Sequence, residues 1–255
     1  MQYNLYFPMT IKKSLEVSGN LLFKYRGHIP LIVFVLIVPI SFFTPYDIYS
    51  SYDGLNETIL FSALFLIFSG HLIRARTVGK RTIQTSGRNR SHQVAKVLNK
   101  TGWYSLVRHP LYFGNYLIWL GLAIFLSNFW FLVILSLLFW IYYERIMFAE
   151  EVFLEGKFGD EFQDWASKTP SFIPSFKNYI PNDCPFSWRI VTKNEYPGII
   201  SSATSFLFIL ILKRTVFLGY FSFFTSDAVF VVIIVVFGVS CKILKKFTAV
   251  FEQMD

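Results

Sequence analysis

Charged residues are scarce in this sequence of 255 residues, because Asp, Glu, Lys and Arg together make up only 16% of it. Soluble domains carry about 25% charged residues, so the composition argues against a water-soluble globule. Cysteine is also scarce: Cys184 and Cys241 have no partner at a disulfide or metal-ligand spacing, which excludes a disulfide-stapled secreted fold and predicts no metal site. Intrinsic disorder is excluded by a hydrophobic content of 54%.

Long apolar segments are abundant instead. Six of them approach the roughly 17–25 residues that a helix needs to cross the hydrocarbon core of a membrane. They are residues 29–43, 59–73, 111–125, 129–148, 199–212 and 228–244. The first and the fifth are short, so each could tilt or enter the membrane without spanning it. The sequence therefore predicts an all-α fold, a multi-pass transmembrane helical bundle of about six spans.

The distribution of Lys and Arg predicts the orientation of this bundle, because cytosolic loops carry an excess of both. Nine basic residues and no acidic one lie in residues 74–108, whereas residues 44–58 contain no basic residue. Both termini are therefore predicted in the cytosol, at a bacterial inner membrane or the endoplasmic reticulum. Lys213 and Arg214 are the exception and cast doubt on the fifth span. Attraction to anionic lipid headgroups explains the net charge of +8, so no nucleic-acid partner is predicted.

The composition changes near Pro181. Residues 74–180 alternate charged loops with apolar segments, whereas residues 199–244 are almost entirely apolar. We therefore expect a four-span core at residues 1–180 with cytosolic loops, and a two-span hairpin at residues 181–255 for packing or oligomer contact.

The first segment whose side chains could bind a ligand or take part in catalysis is residues 101–114, TGWYSLVRHPLYFG. Pro110 suits the first turn of a helix. Arg108 and His109 then lie at the helix N-terminus, where free N–H groups and the helix dipole favour an anion. One helix face carries His109, Tyr112, Tyr116 and Trp119. This face could line a pocket for a flat or cationic ligand, but the spacing alone favours an interfacial aromatic belt.

The second segment begins with Glu150 and Glu151, directly after the fourth apolar segment. Carboxylates near the membrane are costly unless they are paired or hydrated. Adjacent helical residues point in different directions, so one glutamate could pair with a cation or a ligand hydroxyl; a solvated helix start is the alternative. An apolar stripe follows and predicts one amphipathic helix on the membrane surface. It consists of Leu154, Phe158, Phe162 and Trp165.

The two segments in this order resemble the isoprenylcysteine carboxyl methyltransferase family, integral-membrane enzymes related to the phospholipid N-methyltransferases. The resemblance covers roughly residues 70–176. It rests on Gly102, Tyr104, Arg108, His109, Pro110, Tyr112, Gly114, Glu150, Glu151, Leu154, Phe158, Gly159 and Pro174. It implies a methyltransferase that uses S-adenosylmethionine, releases S-adenosylhomocysteine, and acts on a membrane lipid or lipidated substrate. The cofactor pocket would lie under the cytosolic segments.

The resemblance also implies the residues of the site. Cofactor contacts are expected at Lys96, Val97, Leu98, Asn99, Tyr104, His109, Pro110, Leu111, Tyr112 and Glu150. The candidate catalytic residues are Arg108, His109, Arg145 and Glu151, and Arg108 is the candidate partner of the cofactor's carboxylate. The eukaryotic prenylcysteine branch has a substrate-binding Arg four residues before the first glutamate, where this sequence has Ile146. Arg145 lies one residue earlier, rotated by about 100° on an ideal helix.

The choice of methyl-accepting atom depends on whether the site offers a general base. A carboxylate or phosphate oxygen needs no general base, whereas an amine or a thiol must lose a proton. His109 and Glu151 are the candidate bases in view. The sequence therefore favours O-methylation, with N- or S-methylation as alternatives.

Two other classes of function compete. Residues 112–114 and Trp119 resemble a stretch of the steroid reductases that use NADPH, although that branch has Glu where Asn115 stands. A membrane scaffold or transporter is the non-enzymatic alternative. It would leave Arg108, His109 and Glu150 without a role.

Overall fold

The computed structural model describes residues 10–27, 29–43, 57–80, 93 and 95–247, and these residues form eight α-helices joined by loops and two short 3-10 turns. The helices are α1 (Ile11–Tyr25), α2 (Ile29–Phe43), α3 (Glu57–Gly79), α4 (Pro110–Leu126), α5 (Phe129–Phe158), α6 (Asp160–Lys168), α7 (Trp188–Leu218) and α8 (Thr225–Phe247). The predicted all-α fold is confirmed. Arg81, Arg88 and Arg90 of the predicted basic loop lie outside the described residues, as do the two chain ends.

Each of the six predicted apolar segments forms a helix, and the chain is an integral membrane protein. Helices α3, α5, α7 and α8 are long and apolar enough to cross a membrane. Helices α2 and α4 have 15 and 17 residues, about 23 and 26 Å, which is less than the roughly 30 Å of hydrocarbon. The fifth segment is part of a longer helix than expected, because α7 extends it in both directions to 31 residues, which is long enough to span.

The outer surface of the bundle is apolar, as a lipid-facing surface must be. On α3, the side chains of Phe61, Phe65 and Phe68 are each 68% exposed and share one helix face. Helix α8 likewise exposes most of its Val and Ile side chains.

Small residues let α3 and α4 pack backbone against backbone. A Cβ atom added at Gly70 would lie 2.5 Å from the carbonyl oxygen of Gly114, and one added at Gly121 would lie 2.7 Å from that of Ala63. Close approach through small residues is the common way for membrane helices to associate. It brings the end of α3 next to the start of α4, where the candidate site lies.

Helix α1 packs across α5. The backbone of Gly19 lies against the carbonyl oxygen of Arg145, and the Tyr142 hydroxyl donates a hydrogen bond of 3.0 Å to the carbonyl of Leu22. This contact delivers the end of α1, including Arg26, to the same end of the bundle.

The predicted surface helix is wrong in detail. Helix α5 continues to Phe158, and Gly159, with φ of +53°, turns the chain into the separate helix α6. Phe162 and Trp165 on α6 are buried against Leu98. The apolar stripe therefore packs on the protein's own 98–104 segment and does not lie on the membrane.

The two basic residues that broke the charge pattern are accommodated at the opposite end of the bundle. The Lys213 ammonium donates to the carbonyl of Phe125 at 2.9 Å and to the hydroxyl of Ser127 at 3.1 Å. The Arg214 guanidinium pairs with Asp227 at 2.6 Å. Both charges are thus satisfied inside the protein, which is how such residues are tolerated at membrane depth.

The division at residue 181 stays a prediction. Helix α7, in the predicted hairpin, nonetheless packs on the core. Its Glu195 reaches Arg74 of α3, and its Ser202 hydroxyl lies 2.8 Å from a ring nitrogen of His71.

Candidate active site

The segment before α4 is held in place by the segment after α6. The backbone N–H groups of Arg108 and His109 donate to the carbonyls of Pro170 and Ser171 at 2.8 and 3.2 Å, and the N–H of Ser175 donates to the carbonyl of Leu106 at 2.9 Å. Pro110 begins α4, as predicted. The side chains of Arg108 and His109 therefore start from a fixed backbone.

His109 lies between the two glutamates of α5. Its Nε2 atom is 2.9 Å from Glu151 and its Nδ1 atom is 3.5 Å from Glu150. Burial disfavours the charged imidazole, but hydrogen bonds to both glutamates and their negative charges outweigh it and raise the pKa of His109. Both ring nitrogens of His109 thus face carboxylate oxygens, which can only accept hydrogen bonds.

Glu151 anchors Arg108. The Arg108 Nε and Nη2 atoms donate to the two oxygens of Glu151 at 2.8 and 3.1 Å. Its Nη1 atom donates to the carbonyls of Ala166 and Thr169 at 2.9 and 2.6 Å. Four of the five N–H donors of this guanidinium are thus used by the protein. This arrangement fits a positioning role for Arg108 better than the predicted pairing with a cofactor carboxylate.

Glu150 faces the other way. Its carboxylate accepts a hydrogen bond of 2.7 Å from the Tyr112 hydroxyl. The Arg26 Nη1 atom donates to the same hydroxyl at 3.4 Å and lies 3.9 Å from Glu150. The two adjacent glutamates thus have different partners. Glu151 binds the Arg108 guanidinium, whereas Glu150 lines a cavity that is described below.

A second polar network was missed by the sequence analysis. Arg74 at the end of α3 forms a bidentate ion pair with Glu195 of α7 at 2.7 and 2.9 Å. Arg74 also donates to the Asn115 side chain at 2.6 Å, and Asn115 donates to the Tyr143 hydroxyl at 3.1 Å. Arg74 was counted only as a topology marker. The one available signal was an acid, Glu195, just before the fifth apolar segment.

These groups surround a cavity of about 430 Å³ at this end of the bundle. Most predicted site residues line it: Val97, Leu98, Asn99, Tyr104, Arg108, His109, Pro110, Leu111, Tyr112 and Glu150. Glu151 lies behind Arg108 and His109, and Lys96 is exposed outside the cavity. Arg145 does not line the cavity, and Ile146 is fully buried.

One part of the lining of this cavity is an apolar wall. Leu98, Tyr104 and Trp165 pack in one cluster, and the Trp165 indole N–H donates to the carbonyl of Tyr104 at 3.1 Å. Leu154 and Val97 also line the cavity. Glu150 and Arg74 contribute charged groups to the same cavity.

A second cavity of about 180 Å³ lies deeper in the bundle. Its lining is mainly apolar, with residues such as Ile118, Leu122 and Leu135. The two cavities share five lining residues: Arg26, Arg74, Asn115, Tyr143 and Gly198. A cavity with charged side chains in its lining and a mainly apolar cavity therefore meet at one boundary.

Comparisons with known proteins give the family of this chain. The family model described as phospholipid methyltransferase matches residues 57–161. A protein-S-isoprenylcysteine O-methyltransferase of Schizosaccharomyces pombe is 33% identical over 119 residues, 44% of this chain and 48% of that protein. A probable protein-S-isoprenylcysteine O-methyltransferase of Oryza sativa subsp. indica is 31% identical over 135 residues, 48% of this chain and 70% of that protein.

A further relative has a different name. The nickel-cobalt-cadmium resistance protein NccN of Alcaligenes xylosoxydans xylosoxydans is 35% identical over 100 residues, 38% of this chain and 44% of that protein. The chain thus spans about half the length of the Schizosaccharomyces pombe relative and of this one. No solved structure gives a significant match.

Proposed function

Because the chain belongs to the isoprenylcysteine carboxyl methyltransferase family, we propose that it transfers a methyl group from S-adenosylmethionine to a carboxylate or phosphate oxygen of a lipid or lipid-linked acceptor. The observation that carries this proposal is the pair of adjoining cavities, one with charged side chains in its lining and one mainly apolar. The reductase and scaffold alternatives are not favoured, since the matched family and the relatives in yeast and rice are methyltransferases.

The larger cavity suits the methyl donor. Its volume of about 430 Å³ lies in the range of about 300–1,000 Å³ typical of small-molecule sites. The apolar wall of Leu98, Tyr104 and Trp165 fits a flat purine. Glu150, which is open to the cavity, can accept hydrogen bonds from ribose hydroxyls or pair with an amino group.

Glu150, Leu98, Tyr104 and Trp165 would hold the donor, which would supply an activated methyl group: a C–O bond would form at the acceptor oxygen as the S–CH₃ bond broke, with the electron pair left on the sulfur. The chain's residues align the acceptor and exclude water, and positioning of this kind can contribute roughly 7–11 kcal/mol. Arg108, Glu151 and the backbone of Pro170 and Ser171 keep His109 and α4 in place.

The smaller cavity suits the apolar part of the acceptor. Its Ile and Leu side chains offer no polar partner, so an alkyl or prenyl chain is the ligand that gains most from it. The acceptor's reactive group would then lie at the shared boundary, next to the larger cavity.

The contacts of the two candidate bases favour an oxygen acceptor. The ring nitrogens of His109 face Glu151 and Glu150 at 2.9 and 3.5 Å, so both are occupied by the protein's own carboxylates. Glu151 is committed to Arg108 and His109. Both candidate bases are therefore engaged, and an anionic oxygen, which needs no base, is the acceptor that this site can serve.

The test uses the purified full-length chain in lipid nanodiscs with methyl-labelled S-adenosylmethionine and a total lipid extract. We expect label in an organic-soluble product whose mass exceeds that of its precursor by one methylene. Mild alkali should release the label from a carboxylate ester and leave it on a phosphate ester, which separates the two acceptors. Methylation of amine headgroups alone would refute O-methylation. Tight binding of NADPH, with none of S-adenosylhomocysteine, would refute the methyltransferase.

A further inference from the structure

The guanidinium groups around the two cavities are not equally paired within the described residues. They belong to Arg26, Arg74 and Arg108, and the nearby carboxylates are Glu150, Glu151 and Glu195. Arg74 binds Glu195 and Arg108 binds Glu151, each through two hydrogen bonds. Arg26 lies 3.9 Å from Glu150, which also contacts His109 at 3.5 Å, so Arg26 is the most loosely paired of the three.

The three guanidinium groups differ in how the protein uses them. Arg74 and Arg108 each make four hydrogen bonds. Arg26 makes one, a long contact of 3.4 Å to the Tyr112 hydroxyl, and its guanidinium stacks on the Phe23 ring at 4.2 Å. Its distance of 3.9 Å to Glu150 exceeds that of a hydrogen bond. A half-buried guanidinium with so few protein partners is suited to a ligand anion.

Arg26 also stands at the right place. It lines both cavities and lies at their boundary. Helix α1 holds it there, because Phe23 is buried against the aromatic side chains of α5. Position 146 of α5, by contrast, carries an apolar Ile146 that is 0% exposed, so α5 offers no cation there.

We propose that Arg26 binds the anionic group of the acceptor, a carboxylate or a phosphate, and so restricts this enzyme to acceptors with an anion at the end of an apolar chain. This inference rests on the proposed function. The planar guanidinium can bind either anion through two parallel hydrogen bonds. Arg26 is thus a specificity-determining residue, supplied by a loop outside the segment that matches the family model.

The test compares Arg26→Gln and Arg26→Lys with a matched control, Lys24→Gln, which removes an exposed positive charge two residues away. Two anionic probes separate the two acceptor chemistries: N-acetyl-S-farnesylcysteine, a carboxylate, and hexadecyl phosphate. The uncharged methyl ester of the first probe serves as reference. Binding of each probe and of S-adenosylhomocysteine is measured without turnover, and KM and kcat are measured with S-adenosylmethionine.

We expect the wild type to bind one anionic probe better than the uncharged ester. In Arg26→Gln, KM for that probe should rise about 10- to 100-fold, the loss expected for a charge-assisted contact. Arg26→Lys should recover part of the loss, and affinity for S-adenosylhomocysteine should change less than about threefold, a factor worth under 1 kcal/mol. Lys24→Gln should behave as wild type.

Two results would overturn the role of Arg26 while the methyltransferase stands. One is an unchanged KM for the anionic probe. The other is an equal loss of S-adenosylhomocysteine affinity, because Arg26 would then only support Glu150. Arg26-dependent binding of an anionic probe without any methyl transfer would support the role of Arg26 and refute the proposed function.

Discussion

Replacing Glu195 by Ala should destabilise the protein strongly, because it leaves the Arg74 guanidinium unpaired inside the bundle. The Glu195 side chain is 4% exposed and accepts two hydrogen bonds from Arg74, at 2.7 and 2.9 Å. Breaking a buried ion pair from one side costs about 3–5 kcal/mol. At about 2–4 °C per kcal/mol for a protein of this size, the melting temperature should fall by about 6–20 °C. Scanning fluorimetry of the detergent-solubilised protein measures this shift.

The control is an ion pair at the protein surface with a similar distance between nitrogen and oxygen. Lys100 and Glu161 are 2.6 Å apart, but their side chains are 41% and 52% exposed, so Glu161→Ala should cost about 0–1 kcal/mol. Replacing Arg74 by Met and Glu195 by Leu together should restore part of the lost stability, since neither charge is then left unpaired. A fall of less than about 2 °C in Glu195→Ala, under 1 kcal/mol, would refute the reasoning.

Three further outcomes are expected. Glu150→Gln should weaken binding of S-adenosylhomocysteine about 10-fold, measured by titration calorimetry, because a charge-assisted hydrogen bond is lost. Glu155→Gln, an exposed change on the same helix, should leave binding unchanged. Equal effects of the two substitutions would contradict our site. The pKa of His109 is raised in the folded state. Its contribution to stability should therefore be complete below about pH 6.5 and should fall as the pH rises through the folded pKa. Melting scans from acidic to alkaline pH should show this fall in the wild type, and a similar fall in His109→Gln would argue against it. Gly70→Ala should destabilise the folded protein by about 1–3 kcal/mol through overpacking. Gly156→Ala should stabilise it by about 0.5–1 kcal/mol, because no atom lies within 4 Å of the added methyl group. Melting temperatures that move in the same direction in both variants would refute the close packing of α3 and α4.

The helices were predictable because their cause is local. An apolar segment in a membrane must satisfy its own backbone hydrogen bonds, so each of the six segments forms a helix. Pro110 begins α4 where the first-turn preference of proline places it. The different directions of the Glu150 and Glu151 side chains follow from the turn of about 100° per residue in a helix.

The break at Gly159 was missed for a physical reason. The apolar spacing from Leu154 to Trp165 fits one continuous helix. The break between α5 and α6 is stabilised by burial of Phe162 and Trp165 against Leu98, which is distant in the sequence. The fifth apolar segment is shorter than α7 because polar residues flank it. Lys213 and Arg214 counted against this segment in the charge pattern, whereas in the structure Lys213 binds the carbonyl of Phe125 and Arg214 pairs with Asp227.

The sequence by itself determined the class of this protein, its apolar helices and the motif around His109 and Glu150, because these depend on composition and on residues close together in the chain. Only the tertiary structure decided the partners of the charges. Arg108 turned out to bind Glu151, Arg74 to bind Glu195, and Arg26 to stand at the boundary of the two cavities. These pairs join residues 43 to 121 positions apart. Such contacts arise from helix packing, which no local pattern in the sequence specifies.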